Sequence, residues 1–360
     1  MTKRIQPRGE NVRRYILENV GKNPNISTLA AKRFGISRQA IHAHLQNLLQ
    51  EGALTPKKEG ERIREYQLAP LVHWKEQYEI KPGVAEDVVW MQDVTKVLGQ
   101  QPQNIQEIWH FCFTEMFNNA IDHSEGRVIG VEIVKTAIDT QMMVSDNGIG
   151  IFKKIQGALN LLDERHAVLE LSKGKLTTDP ASHTGQGIFF TSRVLDSFDV
   201  LSGMVYLSHV YGEAEDWIFE RDSKRAIDGG TAVLMKLHNH TSKTFKQIAD
   251  KYSGGDNYGF VKTVVPVRLA QYGNDLLISR SQAKRLLARV EKFETVIFDF
   301  SGVPSIGQAF ADEIFRVFQK MHPEIKLVHA RANTEVKRMV HAALADARDE
   351  GLGQNTLFRS

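Results

Sequence analysis

Residues 113–124 read FTEMFNNAIDHS. Among them Glu115, Asn119, Asp122 and His123 are spaced i, i+4, i+7 and i+8, so a helix sets these four on one face. A helix packed on a core keeps its inward face apolar. A polar face here instead lines a cleft. A carboxylate one turn before a carboxamide suits a defined chemistry. Asn119 can offer its oxygen to Mg²⁺, and Glu115 can orient or deprotonate an attacking nucleophile.

Outward from that stretch, residues 71–242 alternate between helical and extended patterns. The periodicity predicts helices over 85–98 and 104–123, and strands over 128–135, 141–144, 199–211 and 231–237. Helices on one side of an antiparallel or mixed sheet make an α/β sandwich. Three further signals lie in this block. In VSDNGIGI (144–151) a strand ends in Asp146, which can accept a hydrogen bond from an exocyclic amine. Gly148 and Gly150 allow close backbone approach. In HTGQGIFFTSRVLD, from His183, the run Gly185-Gln186-Gly187 opens a helix whose first amides suit phosphate. Gly229-Gly230-Thr231 starts the last strand.

Glycine pairs commonly mark turns, and each signal alone is weak. Their order and gaps together resemble the GHKL ATPases, the family of the gyrases and histidine kinases, over about 170 residues. The box ExxxNAxxH, here from Glu115 through Asn119 and Ala120 to His123, is most similar to that of the anti-sigma serine kinases. The resemblance implies ATP and Mg²⁺ as cofactors, Glu115 as general base, Asn119 as Mg²⁺ ligand and Asp146 as adenine reader. It implies that Gly148, Gly150 and Thr231 line the adenine pocket and that Gly185, Gln186 and Gly187 touch phosphate. Residues 152–184 would be the ATP lid, with Lys173 and Lys175 approaching phosphate. His123 and His183 read as structural at least as readily as ligands. No GxxxxGK[ST] is present, which excludes a Walker-type site. Residues 71–103 are too few and too interrupted for the phosphotransfer hairpin of a histidine kinase.

The 360 residues are 42% hydrophobic and 25% charged with 10 prolines, which excludes a wholly disordered or collagen-like chain. Mean hydropathy is −0.31. No apolar run reaches the roughly 18 residues of a bilayer span. No signal peptide is expected at MTKRIQPRGE, so the expected setting is cytoplasmic, without a membrane partner. The single cysteine, Cys112, excludes an internal disulfide and a cysteine metal cage.

The net charge of +3 conceals an asymmetry: residues 1–70 hold 13 Lys and Arg against 6 Asp and Glu. That block predicts three helices, the second capped by Ser27 and stopped by Gly35, the third capped by Ser37, then a basic hairpin. It resembles a winged helix-turn-helix. In that geometry Ser37, Arg38, Gln39 and His42 face the major groove, and Lys57, Lys58, Arg62 and Arg64 of the wing neutralise phosphates. The bland alternative is an interaction module whose cations are merely solvated.

Residues 257–345 alternate strand and helix, and 241–257 reads as a linker. VIFDFSGVPSIGQAFADEIF (296–315) resembles a STAS domain, or the STAS-like domain found beside such ATPases. Ala309 falls at the phosphoacceptor position of that pattern, so phosphorylation by the chain's own ATPase is not expected there. Ser305 is the expected helix cap.

The expected fold class is thus multidomain α+β: a winged helix at 1–70, a GHKL α/β sandwich at 71–242 and a small α/β STAS-like domain at 257–345. The expected function is an ATP-binding, ATP-hydrolysing regulator that couples nucleotide state to duplex DNA in transcriptional or stress control. The alternative is a serine/threonine protein kinase of the anti-sigma type acting on a STAS partner. A homodimer would suit two DNA half-sites, though no heptad supports one.

Overall fold

The computed structural model describes residues 7–57, 65–176, 185–212, 217–220, 229–254, 257–271 and 276–349. It is a mixed α/β molecule with several sheets, in keeping with a multidomain α+β chain.

Three helices and a short hairpin come first: α1 (Pro7–Asn19), α2 (Ile26–Phe34), α3 (Arg38–Gln50), then antiparallel β1 (Leu54–Pro56) and β2 (Tyr66–Leu68). Val12 and Ile16 of α1, Ile26 and Ala30 of α2, and Ile41, Leu45 and Leu48 of α3 fall at helical spacing and close on one core. Gly35 stops α2 at φ 62°, a left-handed position that costs glycine little. The Ser37 hydroxyl accepts from the Ala40 amide at 3.2 Å and starts α3. The expected Ser27 cap is corrected: Asn25 holds the N-cap of α2 without a side-chain bond.

A seven-stranded, wholly antiparallel sheet follows, in the order β3-β4-β5-β9-β6-β7-β8. In chain order its elements are β3 (Val72–Glu79), α4 (Glu86–Val89), a π-type turn over Trp90–Val94, α5 (Thr95–Leu98) and α6 (Gln103–His123). Then come β4 (Val128–Lys135), β5 (Asp139–Asp146), α7 (Ile151–Leu159), α8 (Glu164–Lys173) and α9 (Gly187–Val194). Strands β6 (Ser197–Ser202), β7 (Val205–Val210), β8 (Trp217–Glu220) and β9 (Thr231–His238) complete it. Alternate residues of β4, namely Ile129, Val131 and Ile133, are fully buried. They share a core with Trp109, Phe113 and Phe117 of α6. The single strand expected over 199–211 is a hairpin, because Gly203 turns the chain at φ 56°. Strand β3 escapes sequence reading. VHWKEQYE is an edge strand whose many charged positions blur its alternation, as edge protection requires.

The last part begins with α10 (Phe245–Tyr252) and the short pair β10 (Ser253–Gly254) and β11 (Asn257–Phe260). Strands β12 (Lys262–Pro266), β13 (Thr295–Asp299) and β14 (Lys326–Ala330) form a parallel sheet, with Val264 beside Ile297 and Ile297 beside Val328. Helix α11 (Arg280–Leu287) joins β12 to β13. Helix α12 (Gln308–Asp312), a π-type turn over Glu313–Phe318 and α13 (Gln319–Met321) join β13 to β14, and α14 (Thr334–Asp349) follows.

The expected linker over 241–257 is corrected. Phe245, Ile248, Ala249 and Tyr252 make an amphipathic stripe on α10, which opens with a capping box between Thr244 and Gln247. The Phe245 ring centroid lies 4.3 Å from that of Phe111, and Phe260 lies 4.6 Å from Phe189. One buried apolar cluster consequently runs from Val89 of α4 to Leu344 of α14, beyond the parallel sheet.

Candidate functional site

Helix α6 turns Glu115, Asn119 and His123 toward a cavity of about 270 Å³, while Phe113 and Phe117 face the core. Asp146 enters from the end of β5, Thr231 from the start of β9, and Gly185 and Gly187 from the entry to α9. Seven residues singled out in four separate stretches of sequence thus border one space. Met116, Ala120, Val144, Ile155 and Val233 give it an apolar wall.

Glycine at 187 is dictated by the site. A Cβ there would lie 1.8 Å from Glu115 Oε2, so the carboxylate rests directly against the first residue of α9. The helix N-terminus favours that negative charge. Gly148 serves a different purpose from the one expected of it, since neither it nor Gly150 nor Gln186 lines the cavity. A Cβ on Gly148 would lie 1.9 Å from the Ser124 carbonyl oxygen, so the 146–150 loop crosses hard against the end of α6. The Ile149 amide donates to that same carbonyl at 2.9 Å, and the Gly230 amide donates to the Gly148 carbonyl at 2.6 Å. Asn147 Oδ1 accepts from the Arg127 and Val128 amides. Gln186 is the N-cap residue of α9 and makes no side-chain cap bond. These positions build the floor on which Asp146 stands.

Asp146 Oδ1 accepts from the Gly148 amide at 2.8 Å. Burial pushes its carboxyl above the ordinary value, and hydrogen bonds from Gly148 and Thr231 oppose that rise. Thr231 Oγ1 accepts in turn from the Ile151 amide at 3.0 Å, so one threonine ties β9, α7 and Asp146 together.

The lysines near this cavity differ from those expected. Lys173 is 1% exposed and faces away from it: Nζ donates to Glu170 Oε1 at 2.7 Å and to the carbonyls of Ala288 at 2.7 Å and Arg285 at 3.2 Å. Lys175 Nζ donates to the Lys292 carbonyl at 2.7 Å. Both serve the joint with the parallel sheet, because α8 offers one face to the cavity through Leu171 and the other to α11. Lys154 lines the cavity instead. Its Nζ donates to the His123 carbonyl at 2.7 Å and to Glu125 at 3.1 Å. Its signal was its place on the first turn after Gly150, on the face shared with Ile151 and Ile155. His183 and the rest of 177–184 lie outside the described residues.

In the N-terminal part Ser37, Arg38, Gln39 and His42 are all exposed at the start of α3. Lys57 pairs with Glu65 at 3.1 Å. Lys58, Arg62 and Arg64 lie outside the described residues. In the C-terminal part Ser305 is not the helix cap; Gly307 holds that position, two residues later. Ala309 sits in the first turn of α12. Among the described residues no cluster of three or more His, Cys, Asp or Glu could hold a metal ion, and no helix is long and apolar enough to cross a membrane.

Residues 282–337 match the family model described as a STAS-like domain of unknown function (DUF4325). The match runs from α11 across β13, α12 and β14 into α14. No curated protein matches the chain.

Proposed function

We propose that the α6 cavity binds ATP with Mg²⁺ in the manner of the GHKL ATPases, and that the nucleotide governs duplex DNA binding by a winged helix at the N-terminus. The observation that carries this reading is the convergence of Glu115, Asn119, Asp146, Gly185, Gly187 and Thr231 on one cavity. The helix order, the capped α3 and the hairpin support the winged-helix part, together with the exposed Arg38, Gln39 and His42.

The cavity fits such a ligand. Its apolar wall suits a base, and Asp146 in its ionised form accepts a hydrogen bond from an exocyclic amine while Gly148 and Thr231 satisfy its other lone pairs. Asn119 offers a neutral carboxamide oxygen as a single protein ligand, which suits a small hard cation that keeps waters and substrate phosphates around it. Mg²⁺ there would neutralise phosphate charge. Glu115 orients a water or hydroxyl nucleophile and takes its proton. Lys154, held by the His123 carbonyl, adds positive charge to the wall.

Equilibrium titration of the full chain with a fluorescent ATP analogue tests the reading. Asp146→Asn is expected to weaken binding at least tenfold with unchanged circular dichroism. Glu115→Ala is expected to bind normally and lose turnover. Equal affinity in wild type, Asp146→Asn and Asn119→Ala would overturn it.

The box from Glu115 to His123 favours a second reading, a serine/threonine kinase acting on a separate STAS protein. Transfer of label from γ-labelled ATP to such a protein would support it, and release of label only as free phosphate would reject it.

A further inference from the structure

A second cavity, of about 390 Å³, lies where β7 and α10 meet the carboxyl ends of the parallel strands. Among the described residues it shares no lining residue with the α6 cavity. Among its described lining residues Arg193, Lys251, Arg268 and Arg331 are cationic and Asp299 is the one carboxylate. Asp299 is fully engaged within the wall. Its Oδ1 accepts from Arg331 Nε at 2.9 Å, the Ser301 amide at 3.1 Å and the Ser301 hydroxyl at 2.8 Å, while Oδ2 accepts the other arm of Arg331. A carboxylate so committed fixes the guanidinium rather than inviting a cation. Arg331 does this from left-handed backbone, φ 53°, a conformation that an L side chain rarely adopts.

Topology points the same way. Pro266, Asp299 and Ala330 are the last residues of β12, β13 and β14, and all three border the cavity. The crevice beyond the carboxyl ends of parallel strands is where open α/β sheets bind their ligands. The size fits a small molecule and not a polymer. Tyr211 and Tyr252 add flat walls with polar rims.

We propose that this seam cavity binds a small phosphate-bearing molecule, held by the guanidinium and ammonium groups of Arg268, Arg331 and Lys251. Guanidinium and ammonium groups donate charge-assisted hydrogen bonds to phosphate, and Arg331, whose Nε and Nη2 hold Asp299, would do so through Nη1. The ligand would contact β7 of the antiparallel sheet and β13 of the parallel sheet together, so its presence would tighten the seam. The inference stands independently of what the α6 cavity binds.

Isothermal titration of the full chain with inorganic pyrophosphate at low salt tests it. Wild type and Asn119→Ala are expected to bind alike. Lys251→Gln with Arg268→Gln is expected to bind at least tenfold more weakly with unchanged circular dichroism. Should that double variant fail to fold, Lys251→Glu, at an exposed position, is expected to show the same direction of effect. Absence of binding to wild type would overturn the proposal. So would equal binding by the Lys251 and Arg268 variants, or loss confined to Asn119→Ala, which would put pyrophosphate in the α6 cavity.

Discussion

Replacing Lys173 by Met tests how α8 is held to the parallel sheet. The side chains of Lys173 and Glu170 are 1% and 5% exposed, and the ammonium spends its three hydrogens on Glu170 and on the carbonyls of Arg285 and Ala288. Those carbonyls end α11, where a cation also complements the helix dipole. Burial holds the ammonium below the ordinary lysine range, and Glu170 opposes that shift. Methionine keeps the volume but strands two carbonyls and half of a buried ion pair. Breaking such a pair costs about 3–5 kcal/mol. Arg289 still reaches Glu170 Oε2 at 3.2 Å, so the loss belongs at the lower end, about 3 kcal/mol. Denaturant unfolding followed by tryptophan fluorescence gives the magnitude. Hydrogen exchange locates it, with protection expected to fall in β12, where the Thr263 hydroxyl donates to the Lys173 carbonyl at 2.6 Å. A loss below about 1 kcal/mol, with exchange in β12 unchanged, would contradict this account of the joint, since a buried pair would then contribute no more than a surface one.

Gly187→Ala is expected to fold, because its Cβ meets only the movable end of Glu115, and to lose the proposed ATP turnover by about a hundredfold through the displaced carboxylate. A steady-state phosphate-release assay beside a melting curve reads both. Gly148→Ala meets the Ser124 backbone instead and is expected to melt earlier than Gly187→Ala; equal melting temperatures would contradict the crossing described. His166 and His329 are both held below the ordinary histidine value chiefly by burial. Their unfolded forms therefore take up protons first as pH falls. The stability they contribute is full above about pH 6.5 and is lost as pH drops toward their folded values. His329→Phe should flatten that decline in denaturant midpoints between pH 7 and 5, and an unchanged slope would assign it elsewhere. Arg38→Ala with Gln39→Ala should weaken duplex DNA binding and lower its dependence on salt, as mobility shifts at several salt concentrations would show. Binding unaffected at every salt would remove α3 from the interface.

Much of the site was legible because its residues carry unusual constraints. A polar stripe on an otherwise apolar α6, and an Asp-Asn-Gly run closing a strand, are visible without coordinates. Which face of α8 meets which neighbour is not. Lys173 and Lys175 lie within the expected lid and so read as approaching phosphate, yet both bond to carbonyls more than 100 residues away. Lys154 drew no expectation, because nothing in the chain around it says that the end of α6 lies beside it. Gly148 and Gly150 were expected to let the backbone approach a ligand, and the close approach that the structure shows at both is to the chain itself. The segment 241–257 reads as a linker because it ends in a Ser-Gly-Gly run, yet the stripe of α10 before that run is a packed helix. Strand β3 was lost because an edge strand advertises its charge, not its alternation.

The connection from β2 to β3 has a mechanical consequence. Only Ala69, Pro70 and Leu71 separate the two strands, and both ends are pinned, with the Ala69 amide donating to the Ala53 carbonyl and the Leu71 amide to the Lys135 carbonyl. Ala137, in the turn between β4 and β5, also rests on the N-terminal core. Three residues span about 10 Å at most. The N-terminal helices are therefore not a lure on a line that searches a volume around the body. Under the proposed DNA-binding reading, any two such heads brought together by assembly would be spaced like the jaws of a caliper, and a site with the wrong interval could not be reached by stretching.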